Sequence, residues 1–412
     1  MRRFGSGLLV LALCVGAAWP AASASRWIGS WTTASVPSEA SATLPGAPTG
    51  EVTLRQVARL TAGGPRLRLR VSNQFGATPL RIDGAHVALS ATPASAAVVA
   101  GTDRAVTFDG GQAGVTVPPG ATWLSDPVDL PTQGLARVAV SLRLPQPPAR
   151  ITAHRAARTT AYVAAGDQLS APDLPGAATW LQWAQLAGVD VEATAKGAAI
   201  VTLGDSITDG TGAGTDVYER WPDVLAQRLQ ADPRTRGVAV LNAGIGGNRL
   251  LTDNTSPNAL SRLERDVLSQ PGVRTLIVLI GINDIGGLSR EGPVTPEKRT
   301  AVVSGLIAGY RQVIARAHER GIRVVGATIL PCGGTKVYRS DADADADRQA
   351  VNAWIRTSGA FDAVIDFDAV TRDPAHPERL LPAYDSGDQL HPSPAGYKAM
   401  GEAVPIGVLL GK

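Results

Sequence analysis

The sequence predicts a three-layer α/β/α domain built on a parallel sheet, preceded by an all-β sandwich domain. Three observations predict it. Up to about residue 190, short segments alternate apolar and polar residues with a period of two. From about residue 193, continuous Val, Ile and Leu runs of strand length take over, and these runs alternate with segments whose apolar residues fall near helical spacing. Period-two segments punctuated by Gly, Pro and Asn make half-buried antiparallel strands. Apolar runs joined by crossover helices make parallel strands buried on both faces.

Taken in order, residues 1–24 read as a signal peptide. Arg2 and Arg3 precede an apolar run over 8–19, and Ala22-Ser23-Ala24 supplies a small-residue cleavage site. The apolar run is shorter than the roughly 18 residues a membrane helix needs. A lipoprotein anchor at Cys14 is disfavoured by the bulky Leu13 before it. The sandwich, 25–192, takes its strands from 51–57, 66–71, 85–89, 105–108 and 136–144. Arg66, Arg68 and Arg70 alternate with Leu67, Leu69 and Val71, which reads as a solvated strand face rather than a basic binding stripe. In the α/β domain, 193–412, strands are expected over 198–203, 238–241, 275–280, 323–330 and 363–367. Helices are expected over 221–229, 257–268, 296–320 and 345–357, with a last one after Ser393-Pro394, a capping residue followed by a first-turn proline.

The chain has 412 residues, long for one core, since domains settle near ~100 to 200 residues. Apolar residues are 44% and charged residues 18%, enough for packed interiors and against extended disorder. The formal charge is +3, and removal of Arg2 and Arg3 leaves +1, so no nucleic-acid or anionic-membrane footprint remains. Beyond Cys14 the only cysteine is Cys332, which cannot form an internal disulfide and reads as a buried small hydrophobe beside Gly333-Gly334.

Chemistry in a doubly wound sheet collects beyond the carboxyl ends of its strands, and small polar clusters stand there. Gly204-Asp205-Ser206-Ile207 follows the first strand, Asn242-Ala243-Gly244-Ile245-Gly246-Gly247-Asn248 the second, and Gly281-Ile282-Asn283-Asp284 the third; Asp388-Gln389-Leu390-His391 precedes the last helix. A serine beside glycine means little alone. With His391 to take the hydroxyl proton and Asp388 to fix the imidazole tautomer, Ser206 becomes a candidate nucleophile, its hydroxyl exposed at a strand end. A three-residue offset lets the Asp388 carboxylate fold back onto one ring nitrogen and leaves the other for Ser206. Gly247 offers a backbone N–H and Asn283 a side-chain NH2 to a developing oxyanion, beside the N–H of Ser206.

These four blocks, in this order, resemble the SGNH hydrolases, also called GDSL esterases. The resemblance covers about 198–409 and maps the family's nucleophile serine, oxyanion glycine, oxyanion asparagine and base histidine to Ser206, Gly247, Asn283 and His391, with Asp388 as third triad member. The GDSL motif reads Gly-Asp-Ser-Ile here. Gly244, Gly246 and Gly247 crowd one loop; Gly247 is preferred from its distance to Asn242, with Gly246 in reserve. Trp27-Ile28-Gly29-Ser30-Trp31 and Arg70-Val71-Ser72-Asn73-Gln74-Phe75-Gly76 are similar to the lead-in module of a secreted bacterial subgroup, which is linked loosely to arylesterases and to enzymes that deacetylate plant-wall polysaccharides.

Other polar residues read as structural. Asp205, Asp209 and Asp284 are expected to bond backbone N–H groups. Asp341, Asp343, Asp345 and Asp347 lack the glycine and terminal glutamate of a calcium loop and approach a helix start instead. His86, His154, His318 and His376 are scattered without metal-ligand spacing, so no metal is expected. Trp27, Trp31, Trp123, Trp180 and Trp183 either fill the sandwich core or form a sugar-stacking platform, with core preferred. Tyr218 and Trp221 either wall the acyl pocket or pack.

The expected function is a secreted or periplasmic serine esterase, needing no cofactor, that hydrolyses short acyl esters, acetyl above all, on small molecules or polysaccharides. It is expected to bind neither nucleic acid nor membranes stably. A lipase or lysophospholipase calls for a long apolar lid, whereas 286–295 is short and polar. A polysaccharide transacylase needs an acceptor that outcompetes water. A carbohydrate-binding protein without activity leaves the full proton relay unexplained.

Overall fold

The computed structural model describes residues 26–39, 42–46, 50–193, 196–292, 294–338 and 340–411. The expected signal peptide, 1–24, lies outside them. Among the described residues, no helix is long and apolar enough to cross a membrane.

The amino-terminal half is antiparallel. One sheet places the strand Leu186–Glu192 between Trp27–Thr32 and Gly64–Ser72, with Val128–Thr132 beyond. A second sheet centres on Val52–Arg59 and Arg137–Leu144, paired in register from Arg59 opposite Arg137 to Val52 opposite Leu144. Alternation works as expected on Gly64–Ser72, where Leu67, Leu69 and Val71 are buried. The opposite face is not solvated, however. Arg68 and Arg70 are half-buried and both bond Asp190 of the neighbouring strand at 2.9 Å, and Arg66 bonds Glu192 at 2.8 Å. The cross-strand carboxylates explain why three arginines can line a covered face. Of the tryptophans, Trp31 and Trp183 are buried in edge-to-face contact with centroids 4.9 Å apart, while Trp27 lies under the Arg68 guanidinium.

The carboxyl-terminal half carries a parallel sheet of five strands: β1 (Ala198–Gly204), β2 (Val238–Gly244), β3 (Val273–Leu279), β4 (Arg323–Ala327) and β5 (Ala363–Ile365), in the order β2-β1-β3-β4-β5. Helices Trp221–Ala231 and Pro394–Ala403 pack together, as do Pro296–His318 and Ala342–Thr357, giving the helical layers. Several boundaries depart from the expected runs. β4 stops at Ala327 because Asn352 takes the place of a neighbouring strand: its Oδ1 accepts from the Ile329 N–H at 2.7 Å and its Nδ2 donates to the Ile329 carbonyl at 2.8 Å. β5 stops at Ile365 because Asp366 caps a short helix, Phe367–Thr371, by accepting from the Ala369 N–H. The expected helix 257–268 is an α-helix, Ala259–Leu263, continued as a π-helical turn, Glu264–Leu268. Asp341 caps Ala342–Thr357, so the acidic run does open a helix.

The two halves share one contiguous apolar core. β2 is the edge strand of the parallel sheet, and an open edge invites pairing with another chain. Here the β-rich half covers it. The Thr61 hydroxyl bonds both backbone groups of Val240 at 3.0 Å, and the Gly29 N–H donates to the Pro271 carbonyl at 3.0 Å.

Candidate active site

The strand order reverses around β1, which opens the crevice beyond the carboxyl ends of β1 and its neighbours. Ser206 follows β1 as the first residue of a four-residue helical turn, Ser206–Asp209. Asp205 caps that turn, its Oδ1 accepting from the Ile207 N–H at 3.0 Å. Ser206 is more enclosed than expected, only 8% exposed.

Pro394–Ala403 is capped by Ser393, whose hydroxyl accepts from the Gly396 N–H, and this fixes the segment before it. Asp388 Oδ1 accepts from the backbone N–H groups of Leu390 and His391 at 2.9 and 2.8 Å, folding the chain back as the three-residue offset requires. Its Oδ2 lies 2.5 Å from His391 Nδ1, and His391 Nε2 lies 2.8 Å from Ser206 Oγ. A carboxylate only accepts, so Nδ1 carries the proton and Nε2 faces the serine hydroxyl as acceptor. Burial alone pushes the Asp388 carboxyl up, but the bonds from the His391 ring and the two backbone N–H groups outweigh it and hold the carboxyl below its ordinary range.

The glycines after β2 differ in their hydrogen bonding. Gly244 must be glycine because a Cβ there would lie 2.3 Å from the Asp209 nitrogen. The Gly246 N–H is taken, donating to Asp209 Oδ2 at 3.0 Å. Gly247 sits at φ +71°, a left-handed conformation natural to glycine, and its N–H makes no hydrogen bond among the described residues. Asn283, 3% exposed, donates through Nδ2 to the Asn248 carbonyl at 3.0 Å and accepts at Oδ1 from the Tyr338 hydroxyl. These two bonds set which way the amide points and leave one N–H of Nδ2 for another acceptor.

The aspartates expected to be structural are engaged as such. Asp284 accepts from the Leu250 and Leu251 N–H groups at 2.8 and 3.0 Å; burial nonetheless pushes it up to about 6. Burial pushes Asp205, fully enclosed, up to about 7. Asp209 departs from the expectation of a purely local bond. Besides Gly246 it meets His154 of the β-rich half, with Oδ1 2.9 Å from Nε2. Trp221 is wholly buried against Phe367 and packs rather than walling a pocket, and Tyr218 lies beneath the Arg59 guanidinium. Cys332 is half-buried rather than fully buried, and desolvation pushes its thiol up to about 11. Among the described residues, no group of three or more His, Cys, Asp or Glu side chains is placed to hold a metal. Of two further participants in the site's geometry, Tyr338 is not singled out by the sequence and His154 appears there only as one of four scattered histidines. Nothing in spacing marks them, since each meets its partner across 55 residues of chain.

A serine, a glycine loop, an asparagine and a histidine are thus gathered at the carboxyl edge of a parallel sheet, an arrangement compatible with ester hydrolysis. Residues 202–399 match the GDSL-like lipase/acylhydrolase family, a match that supports a carboxylic ester hydrolase. Similar solved structures include a catalytic mutant of the acetylxylan esterase Axe2 from Geobacillus stearothermophilus. It is 23% identical, with a TM-score of 0.39, and the match covers 52% of this chain and 96% of that one. A lipase/acylhydrolase from Enterococcus faecalis is 23% identical, with a TM-score of 0.37, over 50% of this chain and 93% of that one. A search of curated protein sequences returns no match.

Proposed function

We propose that Ser206 is the nucleophile of an esterase that transfers a short acyl group, acetyl above all, from an alcohol to water. The observation that carries this reading is the unbroken chain from Asp388 Oδ2 to His391 at 2.5 Å and from His391 Nε2 to Ser206 Oγ at 2.8 Å. As Ser206 Oγ attacks the ester carbonyl, its proton passes to His391 Nε2, and Asp388 stabilises the imidazolium that forms. The N–H groups of Ser206 and Gly247 and the Asn283 amide receive the oxyanion. His391 then protonates the leaving alcohol and takes a proton from the water that clears the acyl-enzyme. No cofactor enters these steps.

The short polar stretch after Asn283 favours short acyl groups. The alcohol is assigned to small molecules or acetylated polysaccharides, from the likeness of the amino-terminal motifs to a secreted subgroup. Export is inferred from the character of residues 1–24, and neither nucleic acid nor a stable membrane partner is assigned. The test is an assay of the purified protein and its Ser206→Ala variant on aryl acetates, longer aryl esters and acetylated xylan. Wild type is expected to cleave acetyl esters fastest, and the folded Ala variant to lose hydrolysis. A folded variant with normal turnover removes Ser206 from the chemistry. A kcat/KM that climbs steadily to chains of ten or more carbons removes the short-acyl assignment.

A further inference from the structure

His154 belongs to the strand Thr152–His154 in the β-rich half, yet its ring reaches the turn that begins with Ser206. Its Nδ1 lies 2.9 Å from the Ala34 carbonyl, so Nδ1 must donate. Its Nε2 lies 2.9 Å from Asp209 Oδ1, and a single proton sits between them. Both side chains are almost wholly buried, at 4% and 2% exposure, so neither group can turn to water if the bond is lost. Asp209 Oδ2 in turn holds the Gly246 N–H at 3.0 Å. The carboxylate is thus clamped from both sides, and it ties the last residue of the serine turn to the glycine loop. The next residue, Arg155, donates to the Thr255 carbonyl further along that loop, and Asn254 donates back to the Gly247 carbonyl at 3.3 Å. The loop carrying Gly247 is therefore anchored by two consecutive residues that the parallel-sheet half does not supply.

We propose that His154 is a positioning residue that acts through Asp209: it holds the carboxylate on the Gly246 N–H and so aims the Gly247 N–H at the oxyanion. This rests on the assignment of Gly247 and Ser206 given under the proposed function. With the clamp released, the carboxylate can swing, Gly246 is freed to turn, and the neighbouring amide moves by a fraction of an ångström. Misplacement by about 1 Å can cost about 100-fold in turnover. Ground-state binding of the ester is expected to change little, because the bond to the oxyanion strengthens as charge develops.

The test compares His154→Ala, Asp209→Ala, Asp209→Asn and Ser206→Ala on an aryl acetate, with active sites counted by titration with an aryl phosphonate. Asn at 209 can accept from Gly246 through its oxygen and donate to a neutral His154 Nε2 through its nitrogen, so it keeps every bond of the clamp without the charge. The two alanine variants at 154 and 209 are expected to lose about 10- to 100-fold in kcat per titrated site, with KM within about two-fold. Asp209→Asn is expected to stay within about five-fold of wild type. Wild-type kcat per site in His154→Ala overturns the proposal, as does an Asp209→Asn variant as slow as Asp209→Ala, which would make charge rather than bond geometry decisive. If the alanine variants do not fold, Asp209→Asn alone decides: kcat per site near wild type supports the clamp, and loss of two orders of magnitude overturns it. An active Ser206→Ala variant instead defeats the nucleophile assignment, whatever residue 154 does.

Discussion

Asp205 shows how one enclosed carboxyl links the site to pH. Burial raises it to about 7 from an ordinary 3.8, so the folded state binds its proton more tightly than the unfolded state does. Stability contributed at this position is therefore full below about pH 4 and declines as pH rises to about 7. Asparagine keeps the oxygen that caps Ile207 but has no charge to desolvate. Asp205→Asn is thus expected to melt higher than wild type at pH 8, and the gap is expected to close as pH falls from 7 towards 4; a gap independent of pH in thermal melts would show that folding leaves the Asp205 carboxyl at its ordinary 3.8. At this scale the sequence was readable where chemistry recurs in short motifs. Ser206, Asp388 and His391 could be named because the blocks carrying them are recognisable in order. His154 and Tyr338 could not, because a histidine in a strand and a tyrosine in a loop become relevant only through a contact made in three dimensions. The preference for Gly247 over Gly246 rests on spacing, whereas the engagement of the Gly246 N–H by Asp209 is visible only in the folded loop.

Between elements, Arg262 is the joint. It is 1% exposed and donates to the carbonyls of Gly204 at 3.0 Å and Ala243 at 2.8 Å, to Asn248 Oδ1, and to Asp266 at 3.0 Å. One planar guanidinium thus joins the ends of β1 and β2 to the helix behind them. Lysine offers three donors from a single nitrogen and cannot reach this spread of acceptors. Arg262→Lys is expected to cost about 3 kcal/mol, since it leaves a buried carboxylate and two carbonyls poorly paired, read as a fall in the urea midpoint. An unchanged midpoint would mean that those acceptors find other donors. Periodicity found every strand of the parallel sheet and its main helices. It failed where a side chain substitutes for backbone, as Asn352 does at Ile329, because hydrophobic spacing does not register such a bond. It also overestimated the exposure of the arginine face at Arg66, Arg68 and Arg70, since the covering carboxylates come from a strand more than 110 residues later.

Across the whole molecule, the change from alternating to continuous apolar runs marks the change from antiparallel to parallel strands, but nothing in it indicates how the two halves meet. They meet through shared core, through Thr61 on the edge of β2, and through His154 on Asp209. Apolar contact this continuous argues against independent unfolding. Calorimetry of the intact chain is expected to give a single transition, with loss of near-ultraviolet ellipticity and loss of esterase activity at the same temperature; two resolved transitions would show the halves to be separable. The central place of Leu186–Glu192, between Trp27–Thr32 and Gly64–Ser72, also sets a timetable. A chain emerging from its amino end makes the flanking strands first and their common partner last. At about 5 to 20 residues per second, Trp27–Thr32 waits on the order of ten seconds for the strand it pairs with. During that interval Trp31 has neither Trp183 nor its neighbouring strand, which makes this nascent segment the natural client for a factor that shields apolar chain until synthesis catches up.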